Sequence, residues 1–326
     1  MKEQLVTKKI LKWYDLNKRS LPWRKNVSFR KKQFYTLVSE FMLQQTQVIT
    51  VIPYFNRFIK DIPNLETLAK VQNNKLFKLW EGLGYYSRAR NLKKTSQIII
   101  KNFKGNLPDV FEDLVSLPGI GNYTASAILA IAFNKPYIPL DGNIERVLKR
   151  YLYLKKDKEI KKDILYQKKN IFGNSTRSSD YAQALMELGA LICKPNNPRC
   201  NQCPILKDCK SYKKKDFDLA RITKKNKDKY FILKVYKKNE KYLLIKNTKF
   251  NFLKNLSIFP MDELSNPKNF NKNLNFKISN MNINIKIKYF KDTKKFPSSY
   301  WFDKKKLDTY MLPTFTKKVV KYLEKN

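Results

Sequence analysis

The chain contains no histidine, and this absence excludes several kinds of catalytic and metal-binding site at once. Without an imidazole the protein has no Ser-His-Asp triad, no HExxH metalloprotease motif, no Cys₂His₂ zinc finger and no His-ligated zinc deaminase site. Any acid–base chemistry must therefore use carboxylates, lysine, tyrosine or cysteine.

Acidic residues are also scarce, since 27 Asp and Glu stand against 68 Lys and Arg and the formal net charge is +41. A charge of this size favours polyanionic partners through counterion release, which makes nucleic acid the leading candidate partner. Lysine, asparagine and isoleucine are abundant throughout, however, and a biased genome would produce the same excess without selection for binding. Composition alone therefore leaves the partner open.

Long apolar runs are missing as well. The first twenty residues mix charge through every turn, so they fit neither a signal peptide nor a membrane span. We therefore expect a cytoplasmic protein. Its 326 residues, 42% of them hydrophobic, are enough for about two domains.

The periodicity of the apolar residues changes beyond residue 210. Residues 1–210 carry apolar side chains at three- and four-residue spacing, which predicts a helical domain. Residues 211–229 are charged and lack this periodicity, as is typical of a linker. Alternating segments and a closing helical segment over residues 230–326 predict a smaller α+β domain.

All four cysteines lie within 17 residues, in the pattern Cys193-x6-Cys200-x2-Cys203-x5-Cys209. The prolines among them cannot continue a helix or strand, and four thiolates on so short a segment can surround a single ion or cluster. Disulfides are the alternative, although cysteine clusters in intracellular proteins are more often metal sites. The spacing leaves zinc and iron–sulfur both open.

The sequence LPGIG, residues 117–121, separates two segments with helical periodicity. Gly119 and Gly121 would present bare backbone N–H groups to an anion at the start of the second helix. A helix–hairpin–helix holds a DNA phosphate in this way without reading sequence. A plain helix–helix turn also uses Pro-Gly, so the motif indicates DNA binding mainly when it is taken together with the large positive charge of the chain.

Glu40 is a candidate general acid. It shares a narrow polar stripe with Thr36, Gln44 and Gln47 in an otherwise apolar helical segment, and no Lys or Arg lies three or four positions away. A carboxyl group in such a setting tends to keep its proton at neutral pH, as a general acid needs. The alternative is a structural glutamate that pairs with a distant arginine.

Asp141 and Asn143 precede the helical segment IERVLKR, and either side chain could simply cap that helix. A cap does not exclude chemistry. A carboxylate at such a turn is rigidly aimed, so it can also stabilise a cationic transition state.

Five segments in this order resemble the MutY-type adenine DNA glycosylases of the helix–hairpin–helix superfamily, relatives of endonuclease III. They are SEFMLQQTQV, GLGYYSRARNL, LPGIGNYTASAIL, LDGNIERVL and the cysteine cluster, and the match spans about residues 20–210. The resemblance implies a mostly helical glycosylase domain whose four cysteines hold a [4Fe–4S] cluster. It also implies excision of adenine mispaired with 8-oxoguanine, or less efficiently with guanine, from double-stranded DNA. We further expect a monomer, associated with a bacterial nucleoid.

The resemblance implies roles for four residues of the first domain. Glu40 would protonate the adenine ring at N7, Asp141 would support the developing oxocarbenium ion, and Asn143 would orient this pair. Tyr123 stands where endonuclease III-type enzymes carry a Schiff-base lysine. This substitution implies a monofunctional enzyme that releases the base without lyase chemistry.

Further DNA contacts are implied in the same way. Gln45 and Tyr85 match residues that intercalate near the oxidised guanine and fill the stack while adenine is flipped out. Arg24 and Gln183 match the lining of the adenine pocket. We also expect Gln44, which precedes Gln45, among the DNA contacts.

The C-terminal domain resembles, more weakly, the Nudix-like 8-oxoguanine reader of these enzymes. Residues 252–260 read FLKNLSIFP where the family is usually rich in glycine and tryptophan. No Glu-rich Nudix helix follows, so pyrophosphate hydrolysis is not expected. The reader's Phe-Ser-His element corresponds to residues 278–280, Ile-Ser-Asn, which keep only the serine. Ser279 is therefore the expected contact to 8-oxoguanine.

Two alternatives remain open on the sequence. An endonuclease III-like bifunctional glycosylase and lyase, acting on oxidised pyrimidines, would carry lysine in place of Tyr123 and would need no second domain. A catalytically silent DNA-binding protein would need neither Glu40 nor Asp141.

Overall fold

The computed structural model describes residues 2–154, 175–217, 226–265, 267–278, 280–291, 296–307 and 312–325. The chain divides into two compact units. Residues 1–71 and 87–221 form the first unit, and residues 72–86 and 222–326 form the second. The short segment 72–86 thus groups with the C-terminal part of the chain, a pairing that the sequence pattern does not indicate.

The first unit is helical, as the apolar periodicity predicts. Its helices are α1 (Lys2–Asn17), α2 (Phe29–Leu43), α3 (Val48–Asp61), α4 (Leu65–Lys70), α6 (Tyr86–Asn102), α7 (Phe111–Ser116), α8 (Asn122–Ile131), α9 (Gly142–Leu152), α10 (Ser178–Glu187) and α11 (Lys210–Lys213), whereas α5 (Asn73–Trp80) lies in the second unit. A 3₁₀ turn, Pro22–Arg24, precedes α2, and a π-helical turn, Leu188–Ile192, continues α10. None of the helices described is long and apolar enough to cross a membrane.

Side-chain caps define where two of these helices begin. Asn64 accepts a hydrogen bond from the backbone N–H of Thr67 at 2.8 Å and starts α4. Asp141 accepts from the backbone N–H groups of Asn143 and Ile144 and starts α9. Because the first turn of a helix has N–H groups without intrahelical partners, such caps stabilise the helix and fix the capping side chain in space.

One core of the first unit forms where α1, α9 and α10 meet. Its buried side chains include Val6, Ile10, Tyr14, Ile144, Val147, Leu148, Tyr181, Ala184 and Leu185. Three of the four cysteines, Cys193, Cys203 and Cys209, pack against this core. The start of α9 and the cysteine segment therefore pack on the same hydrophobic core. Helix α2 packs against α3 and α8.

The described part of the second unit contains a mixed sheet of seven strands and a closing helix. The strands are β1 (Lys227–Lys238), β2 (Lys241–Lys246), β3 (Ser257–Ile258), β4 (Met261–Leu264), β5 (Leu274–Ile278), β6 (Met281–Phe290) and β7 (Ser299–Asp303), and the helix is α12 (Thr314–Leu323). β1 pairs parallel with β6 and antiparallel with β2 and β4. β2 also pairs antiparallel with β3 and β7, and β5 pairs antiparallel with β6.

Alternation along β1 decides which face of this sheet is buried. Phe231, Leu233 and Val235 are fully buried and belong to the same core as Phe315 and Val319 of α12. Successive strand residues point to opposite faces, so every second residue of β1 contributes to this core. The arrangement confirms the predicted α+β character of the C-terminal region.

Candidate active site

A cavity of about 440 Å³ lies in the helical unit and brings together residues that are far apart in the sequence. Its volume falls in the range of cavities that hold small organic ligands, about 300–1,000 Å³. Six of the predicted site residues line it, namely Arg24, Glu40, Tyr123, Asp141, Asn143 and Gln183.

Glu40 lies near the end of α2 and is only 5% exposed. Burial raises its pKa from 4.5 to about 7, and the charge of Asp141 also raises it, while a hydrogen bond with Tyr123 and the charge of Arg24 lower it. Its Oε2 atom is buried and has no hydrogen-bond partner among the residues described. Glu40 can therefore exist in both protonation states near neutral pH, with one oxygen not bound to the protein.

Tyr123 lies in the first turn of α8 and shares a hydrogen bond with the Glu40 side chain. Burial raises the pKa of Tyr123 well above its ordinary value, and the charges of Glu40 and Asp141 raise it further. The hydroxyl group therefore keeps its proton and donates it to the hydrogen bond with the carboxylate of Glu40. It is a hydrogen-bond donor in the site and not a base.

Asp141 is held by hydrogen bonds on both carboxylate oxygens. Its Oδ1 accepts from the backbone N–H groups of Asn143 and Ile144 at 3.0 and 2.7 Å, and its Oδ2 accepts from Asn143 Nδ2 at 2.8 Å. Burial raises the pKa of Asp141, although these hydrogen bonds and the charge of Arg146 lower it. Asp141 is thus both a helix cap and a rigidly aimed carboxylate in the cavity wall.

Arg146 connects Asn143, and through it Asp141, to the cysteine segment. Its Nη2 donates to Asn143 Oδ1 at 2.9 Å and to the carbonyl of Gly189 at 2.7 Å, and its Nε donates to the carbonyl of Cys193 at 2.7 Å. A planar guanidinium holds its donors in a fixed fork, so this side chain ties Asn143 rigidly to two other segments. The only clue in the sequence is that Arg146 lies three residues after Asn143, on the same face of α9.

Glu187, a residue that the sequence pattern does not single out, also lines the cavity and is fully buried. It accepts from Arg19 Nε and Nη2 at 2.8 and 3.0 Å and from Arg24 Nη1 at 2.8 Å. Arg24 is therefore paired with Glu187, and the simple ion pair with Arg24 that would make Glu40 a structural residue is not formed. The paired residues are 163 to 168 positions apart, so no local pattern could indicate them.

The predicted hairpin joins α7 to α8. Gly119 has a φ of +82°, and a Cβ added there would lie 2.9 Å from both Phe41 Cε1 and Asn91 Cβ. Its carbonyl accepts from Gln44 Nε2 at 3.1 Å, which attaches the hairpin to the end of α2. Gly121, directly before α8, is exposed and has nothing within 4 Å of an added Cβ. Its exposure at a helix start suits the binding of an anion.

The other predicted DNA contacts, which include Gln44 and the hairpin glycines, are not among the residues that line the cavity. Gln45 lies in the turn after α2 and Tyr85 directly before α6; both are exposed, with φ of 56° and 48°. This left-handed conformation is uncommon for residues other than glycine and is frequent at functional positions. Ser279 lies outside the described residues.

The four cysteines are free thiols that lie close enough to influence one another. Burial, followed by the neighbouring cysteines, raises the pKa of Cys203 to about 12, although a backbone hydrogen bond lowers it. Arg150 is 4% exposed and donates to Cys193 Sγ at 3.5 Å, while its Nε and Ser211 Oγ are buried without a partner in the described part of the chain. No three Cys, Asp or Glu side chains among the described residues are grouped as a single metal ion requires.

Comparison with known proteins places this site in a family. Residues 38–169 match the HhH-GPD superfamily of base excision DNA repair proteins. An adenine DNA glycosylase of Buchnera aphidicola subsp. Baizongia pistaciae is 43% identical over 204 residues, which cover 62% of this chain and 57% of that protein. Another, from Buchnera aphidicola subsp. Schizaphis graminum, is 39% identical over 258 residues, which cover 77% of this chain and 73% of that protein. The solved structure of a thermostable thymine-DNA glycosylase has a TM-score of 0.58 and 26% identity, covering 65% of this chain and 97% of that chain.

The helical unit and its cavity, in which Glu40 and Asp141 both lie, therefore define a DNA glycosylase fold of the helix–hairpin–helix class of base-excision repair. The similarity to the two Buchnera proteins narrows this class. The chain belongs to the family of adenine DNA glycosylases, hydrolases that act on N-glycosyl bonds. The predicted family and the predicted helical glycosylase fold are both confirmed.

Proposed function

We propose that this protein hydrolyses the N-glycosidic bond of adenine mispaired with 8-oxoguanine, and less efficiently with guanine, in double-stranded DNA. One observation carries the proposal: buried Glu40, with a pKa of about 7, lines the same cavity as Asp141. Two carboxyl groups in different environments can divide the tasks of acid and anion between them. A protein that only binds DNA would need neither the buried acid Glu40 nor the carboxylate of Asp141 in the same cavity.

Each carboxyl group has a defined task in this reaction. Protonated Glu40 donates its proton to N7 of adenine, so that the base can leave with the electron pair of the broken C–N bond. Ionised Asp141 stabilises the positive charge that develops on the sugar. Water then adds to the sugar carbon and gives up a proton to the Glu40 carboxylate, which the first step left ionised. Asn143 and Arg146 keep Asp141 in place through the hydrogen bonds that they share.

Tyr123 supports release of the base without cleavage of the strand. Lyase chemistry needs an amine that forms a Schiff base with the sugar, and none of the described residues that line the cavity is a lysine. The Tyr123 hydroxyl, which keeps its proton, cannot take that role. We therefore propose a monofunctional glycosylase.

The arrangement of the helical unit suits a flipped adenine. A base must leave the duplex to reach a buried acid, and the cavity that holds Glu40 is also lined by Arg24 and Gln183. The hairpin glycines would hold a phosphate of the backbone. Gln45 and Tyr85, which are both exposed, would fill the space that adenine leaves in the stack. Gln44 donates to the carbonyl of Gly119 at 3.1 Å.

We also propose that Cys193, Cys200, Cys203 and Cys209 bind a [4Fe–4S] cluster. The resemblance to MutY-type glycosylases and the spacing of the four cysteines support this proposal. The buried donor on Arg150 that reaches Cys193 Sγ would then meet a thiolate, in a charge-assisted hydrogen bond. When bound, the cluster would hold the proline-rich segment in place and supply no proton to the reaction.

The second unit would act as a Nudix-like reader of 8-oxoguanine through Ser279. A hydroxyl group can both donate and accept a hydrogen bond, which suits the N7–H and the carbonyl that 8-oxoguanine presents. Loss of one such bond costs about 0.5–1.5 kcal/mol, so Ser279→Ala should narrow the preference for A opposite 8-oxoguanine several-fold. The rate on A opposite G should stay unchanged. If variant and wild type discriminate equally, Ser279 is not the reader.

Single-turnover assays on duplexes with A opposite 8-oxoguanine, G or T test the function directly. We expect adenine release from the first two duplexes, and strand breaks only after alkali. Breaks without alkali that borohydride traps on the protein would establish the bifunctional alternative. Binding without any release would establish the non-catalytic alternative. We further propose a monomer in the bacterial cytoplasm, which gel filtration and fluorescence localisation on the nucleoid can check.

A further inference from the structure

Gly189, in the π-helical turn Leu188–Ile192, packs directly against Asn143 of the active site. A Cβ added to Gly189 would lie 2.6 Å from Asn143 Cβ, and 2.9 and 3.0 Å from the carbonyl oxygen and carbon of Asn143. Carbon atoms in ordinary contact are about 3.5–4.0 Å apart. A side chain at position 189 would therefore have to displace Asn143 by about an ångström.

The backbone conformation of Gly189 does not require glycine. Its φ is outside the left-handed region in which Gly119 lies. Glycine also weakens a helix relative to alanine, because it loses more conformational freedom on folding. The backbone conformation thus permits alanine at position 189, and helix stability favours it. The close approach to Asn143 is the reason for glycine.

The same turn is linked by hydrogen bonds, through Arg146, to Asn143 and Asp141. The carbonyl of Gly189 accepts from Arg146 Nη2 at 2.7 Å, and the same nitrogen donates to Asn143 Oδ1 at 2.9 Å. Asn143 Nδ2 in turn donates to Asp141 Oδ2 at 2.8 Å. π-Helical turns are rare and frequently lie at functional sites. Here the turn contacts Asn143 on its backbone side and, through Arg146, on its side chain.

We propose that Gly189 is a positioning residue that acts through Asn143 to hold Asp141 in its catalytic orientation. The inference rests on the proposed adenine excision. If Asn143 moves, its amide loses the bond to Asp141 Oδ2, and the carboxylate is no longer held on that side. A misplacement of about 1 Å in an active site can lower the rate on the order of 100-fold.

Two alanine substitutions test this in the full-length protein. Gly189→Ala places a methyl group against Asn143, whereas Gly142→Ala places one directly before Asn143, where nothing lies within 4 Å. We expect single-turnover adenine release to fall on the order of 100-fold in Gly189→Ala and to stay near the wild-type rate in Gly142→Ala. Both variants should keep wild-type affinity for a duplex with 2′-fluoro-deoxyadenosine, a non-hydrolysable analogue, opposite 8-oxoguanine.

Two further measurements separate positioning from a general structural role. The Asn143 amide favours the ionised form of Asp141, so its displacement should move the acid limb of the pH–rate profile to higher pH. In an Asn143→Ala background the amide is already gone, so Gly189→Ala should cause a smaller additional loss of rate than in the wild-type background; the part that remains comes from its contact with Cβ and the backbone of residue 143.

The outcomes are distinguishable. A wild-type rate in Gly189→Ala, an unmoved acid limb, or a full additional loss in the Asn143→Ala background would overturn the inference. Loss of duplex affinity together with the rate would also overturn it, because Gly189 would then maintain the fold and not one side chain. If the wild-type protein releases no adenine from any duplex, the proposed function fails first and the inference falls with it.

Discussion

Replacing Glu40 with glutamine tests the proposed chemistry in two independent ways. Glutamine has nearly the same shape as glutamic acid but cannot donate a proton to adenine N7. We expect Glu40→Gln to abolish adenine release and to leave binding of the mispaired duplex nearly intact, because the substitution removes a transition-state interaction and little else. Single-turnover assays and duplex titrations measure the two effects separately.

The same substitution should stabilise the protein at high pH. The pKa of Glu40 is about 7 in the folded protein, and its ordinary value is 4.5. At 1.36 kcal/mol per pKa unit, this difference corresponds to about 3 kcal/mol. Since the folded pKa is raised, Glu40 contributes its full stability only below pH 4.5, and this contribution is lost as the pH rises through about 7. Above that pH the folded protein must carry a buried carboxylate.

Urea unfolding of the full-length proteins at two pH values measures this effect. At about pH 5.5, roughly 1.4 kcal/mol of the stability is already lost, because the unfolded chain has ionised, and at about pH 8 nearly all of it is lost. Glutamine does not titrate. The free energy of unfolding of Glu40→Gln, relative to wild type, should therefore rise by about 2 kcal/mol between these pH values, with the helices followed by circular dichroism.

An exposed glutamate provides the control. Glu112 lies in α7 and is exposed, so Glu112→Gln should leave adenine release at the wild-type rate. Glu40 cannot be a buried general acid if Glu40→Gln keeps a near wild-type rate. If the difference in free energy of unfolding between Glu40→Gln and wild type does not grow with pH, the raised pKa of Glu40 is refuted.

Three further predictions concern Tyr123, the hairpin glycines and the cysteine segment. Tyr123→Phe removes the hydrogen bond that lowers the pKa of Glu40, so the alkaline limb of the pH–rate profile should move to higher pH; a limb that stays or moves down contradicts this. Gly119→Ala should lower the unfolding temperature, because its Cβ would meet Phe41 at 2.9 Å in a left-handed conformation, while Gly121→Ala, with open space around it, should keep the wild-type unfolding temperature. The purified protein should be brown and contain about four irons per chain by metal analysis, and one zinc per chain would refute the cluster.

Local features of the site were predictable from the sequence because they depend on neighbours in the chain. The polar stripe of Glu40 in an apolar helix follows from helical spacing. Asp141 caps α9 through backbone N–H groups two and three residues away, and the conformation of Gly119 belongs to a tight turn. Helices and strands followed from apolar periodicity for the same reason, since one buried face determines the spacing.

Only the tertiary structure decided which of these groups meet. Arg24 pairs with Glu187 and not with Glu40, over 163 positions of the chain, and Gly189 approaches Asn143 because α9 and the π-helical turn pack together. The pKa of Glu40 shows the physical reason most clearly. Its largest cause is loss of water around the carboxyl group, and water is excluded by segments that no local pattern connects. The sequence determined by itself which residues are able to act as acid, anion or cap, and packing determined which of them share one cavity and so acquire altered chemistry.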